Sequence, residues 1–150
     1  MPQSLAKVLV HLIYSTKQRE RLLKEQIRDE LHAYSATIFK ALDCHALLIN
    51  SVEDHVHIVF NLARTRTISD VVEEVKKSTS KWLKTKGPEF AQFHWQAGYG
   101  AFSVSQSNLD QVLKYVANQQ EHHRTKTFQE EYREFLKRYG VAFDERYVWD

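Results

Sequence analysis

Between residues 53 and 60 the chain reads Glu53-Asp54-His55-Val56-His57-Ile58-Val59-Phe60, and this run constrains the fold more than any other. On a β-strand successive side chains point to opposite faces, so His55 and His57 share one face while Val56, Ile58 and Phe60 share the other. The strand therefore needs a sheet with an apolar face against a core and a second face that accommodates two imidazoles. Two imidazoles side by side on a rigid strand form half of a divalent-metal site. With eight His in 150 residues, such a pair arises about 0.4 times by chance. Its weight therefore comes from context: the apolar residue between the two His, and a later helix that can complete the site.

The surrounding pattern predicts a sheet of matching kind. Lys7 to Tyr14 (KVLVHLIY) is nearly continuous in apolar character, as a strand buried on both faces requires. Arg19 to Leu42 places Leu23, Ile27, Leu31, Tyr34, Ile38 and Ala41 at helical spacing. Cys44 to Val52 is a second strand, joined to the His-x-His strand by a turn at Glu53-Asp54. A second helix follows, with Thr67 and Ser69 as candidate N-caps, Asp70, Glu73 and Glu74 near its positive end, and a stop at Gly87-Pro88. Its inward set is Ile68, Val71, Val72, Val75, Trp82 and Leu83. Phe93 to Val104 is extended and aromatic, with Gly98 and Gly100 allowing a bulge or bend. Asn108 to about His123 is a third helix, and Phe128 to Tyr139 a charged tail helix. The order β-α-β-β-α-β predicts an α+β fold: a ferredoxin-like split βαβ antiparallel sheet with helices on one face, followed by the third helix and the tail helix. Residues 1–150 are expected to form a single domain.

Composition sets the limits. Hydrophobic residues are 43% and charged residues 27%, a globular balance, and the formal charge is only +2. Positive charge is nevertheless clustered, at Lys17, Arg19, Arg21 and Lys24, and again at Lys76, Lys77, Lys81, Lys84 and Lys86. These clusters can track phosphates, although a Lys run on a helix is as readily a solvated face. The lone Cys44 excludes an intrachain disulfide and a Cys-based zinc site, which fits a reducing cytoplasm. No apolar run approaches membrane-spanning length, so no membrane association is expected, and the start of the chain lacks the shape of a signal peptide.

In the third helix Leu109, Val112, Leu113, Val116 and Ala117 form an apolar stripe. Tyr115 and Gln119 lie one turn apart on the polar stripe beside it, with His122 close by. Tyr115 can therefore face a cleft rather than the core. Ser78-Thr79-Ser80-Lys81 matches Ser-x-x-Lys, but the companion motifs of acyl-transfer enzymes are missing.

Four ordered segments resemble the HUH single-tyrosine transposases, the TnpA type of the IS-two-hundred-like insertion sequences. They are His11 to Arg19 (HLIYSTKQR), His55-Val56-His57, Trp95 to Val104 (WQAGYGAFSV) and Tyr115 to His123 (YVANQQEHH). The resemblance spans nearly the whole chain. It implies a prokaryotic enzyme of the cytoplasm acting on chromosomal or plasmid DNA, with single-stranded DNA carrying hairpin ends as substrate. It further implies a homodimer in which Tyr115 of one subunit serves the His pair of its partner. A divalent ion, Mg²⁺ or Mn²⁺, would be held by His55 and His57 with Gln119 as third ligand, and would polarise the phosphate oxygens and the leaving oxygen. Tyr115 would be the nucleophile, leaving a 5′-phosphotyrosine and a free 3′-hydroxyl. Lys17, Arg19, Lys77 and Lys81 are candidates for DNA phosphates, and Trp95 and Tyr99 for stacking on unpaired bases. Two other readings stand beside this one. The first is a host-retained HUH nuclease of repetitive palindromes. The second is a non-catalytic single-stranded nucleic-acid-binding module in which His55 and His57 merely contact phosphates.

Overall fold

The computed structural model describes residues 2–150; Met1, the first residue of the expected 1–150 unit, lies outside the described residues. Four antiparallel strands form one sheet in the order β2-β3-β1-β4: β1 Leu9–Ser15, β2 His45–Ser51, β3 His55–Asn61 and β4 Gly100–Val104. With α1 Glu25–Ala41 after β1 and α2 Ile68–Leu83 after β3, this is the split βαβ arrangement that the element order predicts. β1 and β3 are the interior strands, and every residue of β1 is buried. In the register Ile13 lies opposite His57, and Ser15 opposite His55.

The two faces of the sheet are covered by different elements. On one, Val10, Leu12, Tyr14, Val56, Ile58 and Phe60 pack against Leu31 and Phe39 of α1 and Val71, Val72, Val75 and Leu83 of α2. The other is not left open. α3 Leu109–Ala117 sets Leu109 and Val116 on Leu9, Val59 and Val104, and α5 Phe128–Arg138 sets Phe128, Tyr132, Phe135 and Leu136 on Ile13 and Phe102. Gly100 on β4 is where α5 comes closest: a Cβ there would lie 2.6 Å from the Tyr132 ring.

Several boundaries differ from the periodicity reading for local reasons. α1 begins at Glu25, not Arg19, because residues 17–24 wind through a short 3-10 turn with Gln18 and Arg19 at positive φ. They are tied back by Thr16 Oγ1 donating to the Glu20 carbonyl and the Leu23 N–H donating to that of Glu53. Thr67, not Ser69, caps α2, its hydroxyl accepting from the Asp70 N–H at 3.0 Å. Only residues 100–104 of the extended aromatic segment are strand. The third helix stops at Asn118 and resumes as α4 Gln119–His122. The interruption has a partner: Asn50 Nδ2 on β2 donates to the Val116 carbonyl at 2.7 Å, taking an acceptor that a continuing helix would claim.

Candidate metal centre and nucleophile

β3 delivers His55 and His57 to the α3–α5 side, and both side chains are fully buried. They meet Glu131, which α5 carries on its inward stripe between Phe128 and Tyr132 and which is 1% exposed. Glu131 Oε1 lies 2.9 Å from His57 Nε2, 3.4 Å from His55 Nε2 and 3.2 Å from the Nε2 of His123, just after α4. One donor atom from each of these four residues lies within 4.8 Å of the others. The far nitrogens are also engaged: His55 Nδ1 with Asp54 Oδ1 at 2.7 Å, His57 Nδ1 with His11 Nε2 at 2.8 Å, and His123 Nδ1 with the Lys126 carbonyl at 2.6 Å.

These outer contacts set the tautomers. Asp54 accepts at Nδ1 of His55, so the neutral ring carries its proton there and turns a lone pair at Nε2 toward Glu131. His55 Nε2 is accordingly buried without a hydrogen-bond partner among the described residues. The Lys126 carbonyl imposes the same tautomer on His123, whose Nε2 also faces Gln119 Oε1 at 3.0 Å. Lone pairs and a carboxylate thus converge on one dry point. Such a point is satisfied by a bound cation or by added protons. The donors present fit a divalent metal.

Tyr115 stands at the edge of this cluster. Its hydroxyl donates to Glu131 Oε2, its ring stacks on His122 at a centroid separation of 4.4 Å, and its ring centroid lies 6.1 Å from that of His57. The Tyr115 hydroxyl is pushed well above the usual phenol range by burial, by the Glu131 charge and by the hydrogen bond to that carboxylate. Burial works against the Glu131 anion, but the surrounding imidazoles, His57 first and then His123 and His55, outweigh it and hold the carboxyl well below its ordinary range. Burial lowers His57 to about 4 and His11 to about 3. Burial also lowers His55, but the Asp54 hydrogen bond and the charges of Asp54 and Glu131 reverse the sign and raise it.

Residues 4–119 match the family model described as "Transposase IS200 like". The chain belongs to that family. The transposase is 23% identical over 114 residues to the ISDra2 transposase TnpA of Deinococcus radiodurans, covering 73% of this chain and 81% of that protein. Its fold matches a Deinococcus radiodurans R1 crystal structure assigned as a transposase, with a TM-score of 0.62 at 23% identity over 79% of this chain and 98% of the other. It also matches a REP-associated tyrosine transposase bound to a REP hairpin, with a TM-score of 0.60 at 12% identity over 82% of this chain and 73% of the other. An HUH-type transposase that cleaves and rejoins DNA is thus the enzyme class, and a His/Glu cluster able to hold a metal is present.

The predicted site residues divide sharply. His55, His57, Tyr115 and Gln119 are brought together, all in one chain. Within the single chain, α3, α4 and α5 fold back over the sheet that carries His55 and His57, and Tyr115 lies beside its own pair. Trp95 is not free to stack on a base: it is buried among Tyr14 and Phe93, and its Nε1 donates to Thr79 Oγ1 at 3.0 Å. Lys77 and Lys81 are exposed on α2, which packs on the opposite face of the sheet from the cluster. Tyr99 is 36% exposed, with the Lys76 ammonium 5.6 Å from its ring centroid. Lys17 is exposed, while Arg19 Nη1 donates to the Trp149 carbonyl at 3.0 Å. Sequence reasoning missed Glu131 and His11. The signal for Glu131 was an acid at a core position of an amphipathic helix, between Phe128, Tyr132 and Phe135. For His11 it was an imidazole inside a strand buried on both faces.

Beside the cluster lies a cleft of about 600 Å³ lined by four cations, Arg21, Arg28, Arg124 and Lys126, together with His123 and the acids Glu25, Glu53 and Asp54. A smaller cavity of about 220 Å³ opens on Tyr115 itself, between His122, Lys126 and Arg138. Among the described residues no helix is long and apolar enough to cross a membrane.

Proposed function

We propose that this transposase cuts and rejoins single-stranded DNA at hairpin-marked ends through a covalent bond to Tyr115. The observation that carries the reading is the convergence of the Tyr115 hydroxyl with His55, His57 and a metal-competent donor set in one buried site. A divalent metal held at His55 and His57 would supply Lewis-acid stabilisation of the phosphate and of the departing 3′-oxygen. The Tyr115 oxygen forms a bond to phosphorus as the P–O3′ bond breaks. The phenol proton leaves toward solvent, and the 3′-oxygen takes up a proton. The products are a 5′-phosphotyrosine and a free 3′-hydroxyl; the reverse attack by another 3′-hydroxyl rejoins the strands without an external energy source. His122, stacked on the phenol, positions the ring. The strand path best supported is the cleft at Arg21, Arg28, Arg124 and Lys126, because it adjoins the cluster and because a chain of net charge +2 needs a local basic groove to bind a phosphate backbone. Hairpin recognition is supported by the likeness in fold to a relative bound to a REP hairpin.

The test is a nicking assay on labelled single-stranded oligonucleotides bearing a hairpin, with wild type and Tyr115→Phe. Wild type should form a denaturation-resistant adduct and leave perfect duplex uncut; Tyr115→Phe should bind DNA yet form none. An adduct on the Phe variant defeats the assignment. Mixing Tyr115→Phe with His57→Ala protein should restore no adduct if the cis arrangement operates, and recovery would establish exchange of Tyr115 between subunits of a dimer.

A further inference from the structure

Tyr115 and His122 are separated by two helical turns of sequence, yet their rings stack at a centroid separation of 4.4 Å. An unbroken α-helix rises about 1.5 Å per residue, so it would set these two positions roughly 10.5 Å apart along its axis. The stack exists because the helix is interrupted at Asn118 and resumes as α4. We infer that Asn50, on β2, is a positioning residue for the nucleophile: its amide fixes the interruption that seats His122 on the Tyr115 ring. That role rests on the reading of Tyr115 as the nucleophile, and it adds a residue that acts on the phenol from a different element.

The hydrogen bonds at the break show what Asn50 does. In a continuing helix the Val116 and Ala117 carbonyls would accept from the N–H groups of Gln120 and Glu121. Here both accept from Asn50 Nδ2, at 2.7 and 3.3 Å. The amide is aimed by its other end, because Asn50 Oδ1 accepts from the Ser51 N–H at 2.9 Å. The Tyr115 carbonyl is served locally, by the Asn118 N–H at 3.2 Å and by Gln119 Nε2 at 3.3 Å. The Tyr115, Val116 and Ala117 carbonyls thus all find donors without the helix running on.

His122 is not anchored through its own Nε2, which is buried without a hydrogen-bond partner among the described residues. The backbone path through the break sets its seat. Without the Asn50 amide, the donors that can serve Val116 and Ala117 are the N–H groups of Gln120 and Glu121, which reach them only if α3 and α4 merge. Merging would carry His122 along the axis, away from the phenol. Asn50 also lies opposite His57 in the β2–β3 register. The strand pair that carries the imidazoles therefore fixes the helix that carries the phenol.

The test compares wild type with Asn50→Ala, Asn50→Asp, His122→Ala and the double variant Asn50→Ala/His122→Ala, all in the full chain, with Tyr115→Phe alongside. Asn50→Asp keeps the size of the side chain and its acceptor for Ser51 while removing the donor. It carries the test if circular dichroism shows that Asn50→Ala does not fold, and then takes the place of Asn50→Ala in the double variant. The rate of adduct formation on a hairpin-bearing single-stranded oligonucleotide with Mn²⁺ is followed over a range of DNA concentrations. The ring-current shift of the His122 imidazole protons is read by NMR. Both Asn50 variants should slow adduct formation at saturating DNA about tenfold or more, keep the half-saturating DNA concentration within about twofold, and lose the ring-current shift. Because Asn50 acts through His122, the double variant should be no slower than the slower of the two single variants. A wild-type rate at saturating DNA, a loss confined to DNA affinity, a retained ring-current shift or losses that multiply in the double variant each overturns the assignment. An adduct formed by Tyr115→Phe marks failure of the nucleophile reading itself. No adduct there, with wild-type behaviour of the Asn50 variants, removes only the role of Asn50.

Discussion

The two faces of β3 are built from alternate residues of one strand and do opposite work. Val56, Ile58 and Phe60 look onto a dry apolar layer made with α1 and α2. His55 and His57, one residue away in each case, look onto imidazoles, a carboxylate and a phenol supplied by α3 to α5. The first face gains stability from area removed from water and from close packing. The second removes charge and lone pairs from water and recovers that cost only through an interlocked set of partners, which leaves it dependent on pH and on cations. Within a few ångströms, one strand separates the part of the molecule that holds the fold from the part that performs the chemistry.

The largest expected effect comes from breaking the apolar face. Phe60→Ala removes a fully buried ring packed 4.9 Å from Phe39 and should cost about 3–5 kcal/mol. Denaturant melts should show this cost. Metal affinity of the variant under conditions where it remains folded should match wild type, and a selective loss of metal binding would break the comparison.

A second effect belongs to the imidazole face. Burial lowers His57 to about 4 and His11 to about 3 from an ordinary value of 6.5, so between those values the unfolded chain binds more protons than the folded one. Stability of chelator-treated protein should therefore fall as pH drops from about 6.5 toward 4, by a few kcal/mol in all. Glu131, held below its usual range, adds a loss as pH falls below about 4.5. His55, shifted upward, opposes the trend: its stabilisation is full below 6.5 and fades as pH rises through its raised value. His57→Asn should flatten the profile near pH 5, as read by melting temperature against pH; an unchanged slope would show that the acid sensitivity lies elsewhere.

The smallest effect sharpens the contrast most. Thr67 caps α2 and Thr127 caps α5 in the same way, accepting from the N–H of Asp70 at 3.0 Å and of Glu130 at 3.2 Å. Each substitution to Ala should cost about 1 kcal/mol. Only Thr127→Ala, which loosens the helix carrying Glu131, should also weaken Co²⁺ binding. Equal effects of the two on metal affinity would mean that α5 has no special share in the site.

Much of this was legible in residues 7–83, where strands alternate with amphipathic helices and side-chain period alone assigns each position to a face. The grouping of His55 and His57 with Tyr115 and Gln119 was legible too, from strand and helix spacing together with the resemblance. Trp95 was not, because an aromatic residue in an extended segment reads equally as a stacking platform and as core, and only its contacts with Tyr14, Phe93 and Thr79 settle which.

The sequence by itself determined the sheet, its order of elements and which residues of β3 face together, because these follow from a period of two along a strand and from short connections. Tertiary structure alone decided that α3 and α5 cover the face carrying the imidazoles. It also decided that a helix breaks at Asn118, where Asn50 takes the Val116 carbonyl, and that Glu131 reaches across to His55 and His57. The Asn50–Val116 and His57–Glu131 contacts join positions 66 and 74 residues apart in the chain. No local period encodes such a meeting; it is set by how the apolar stripes of separate elements find their common minimum in three dimensions.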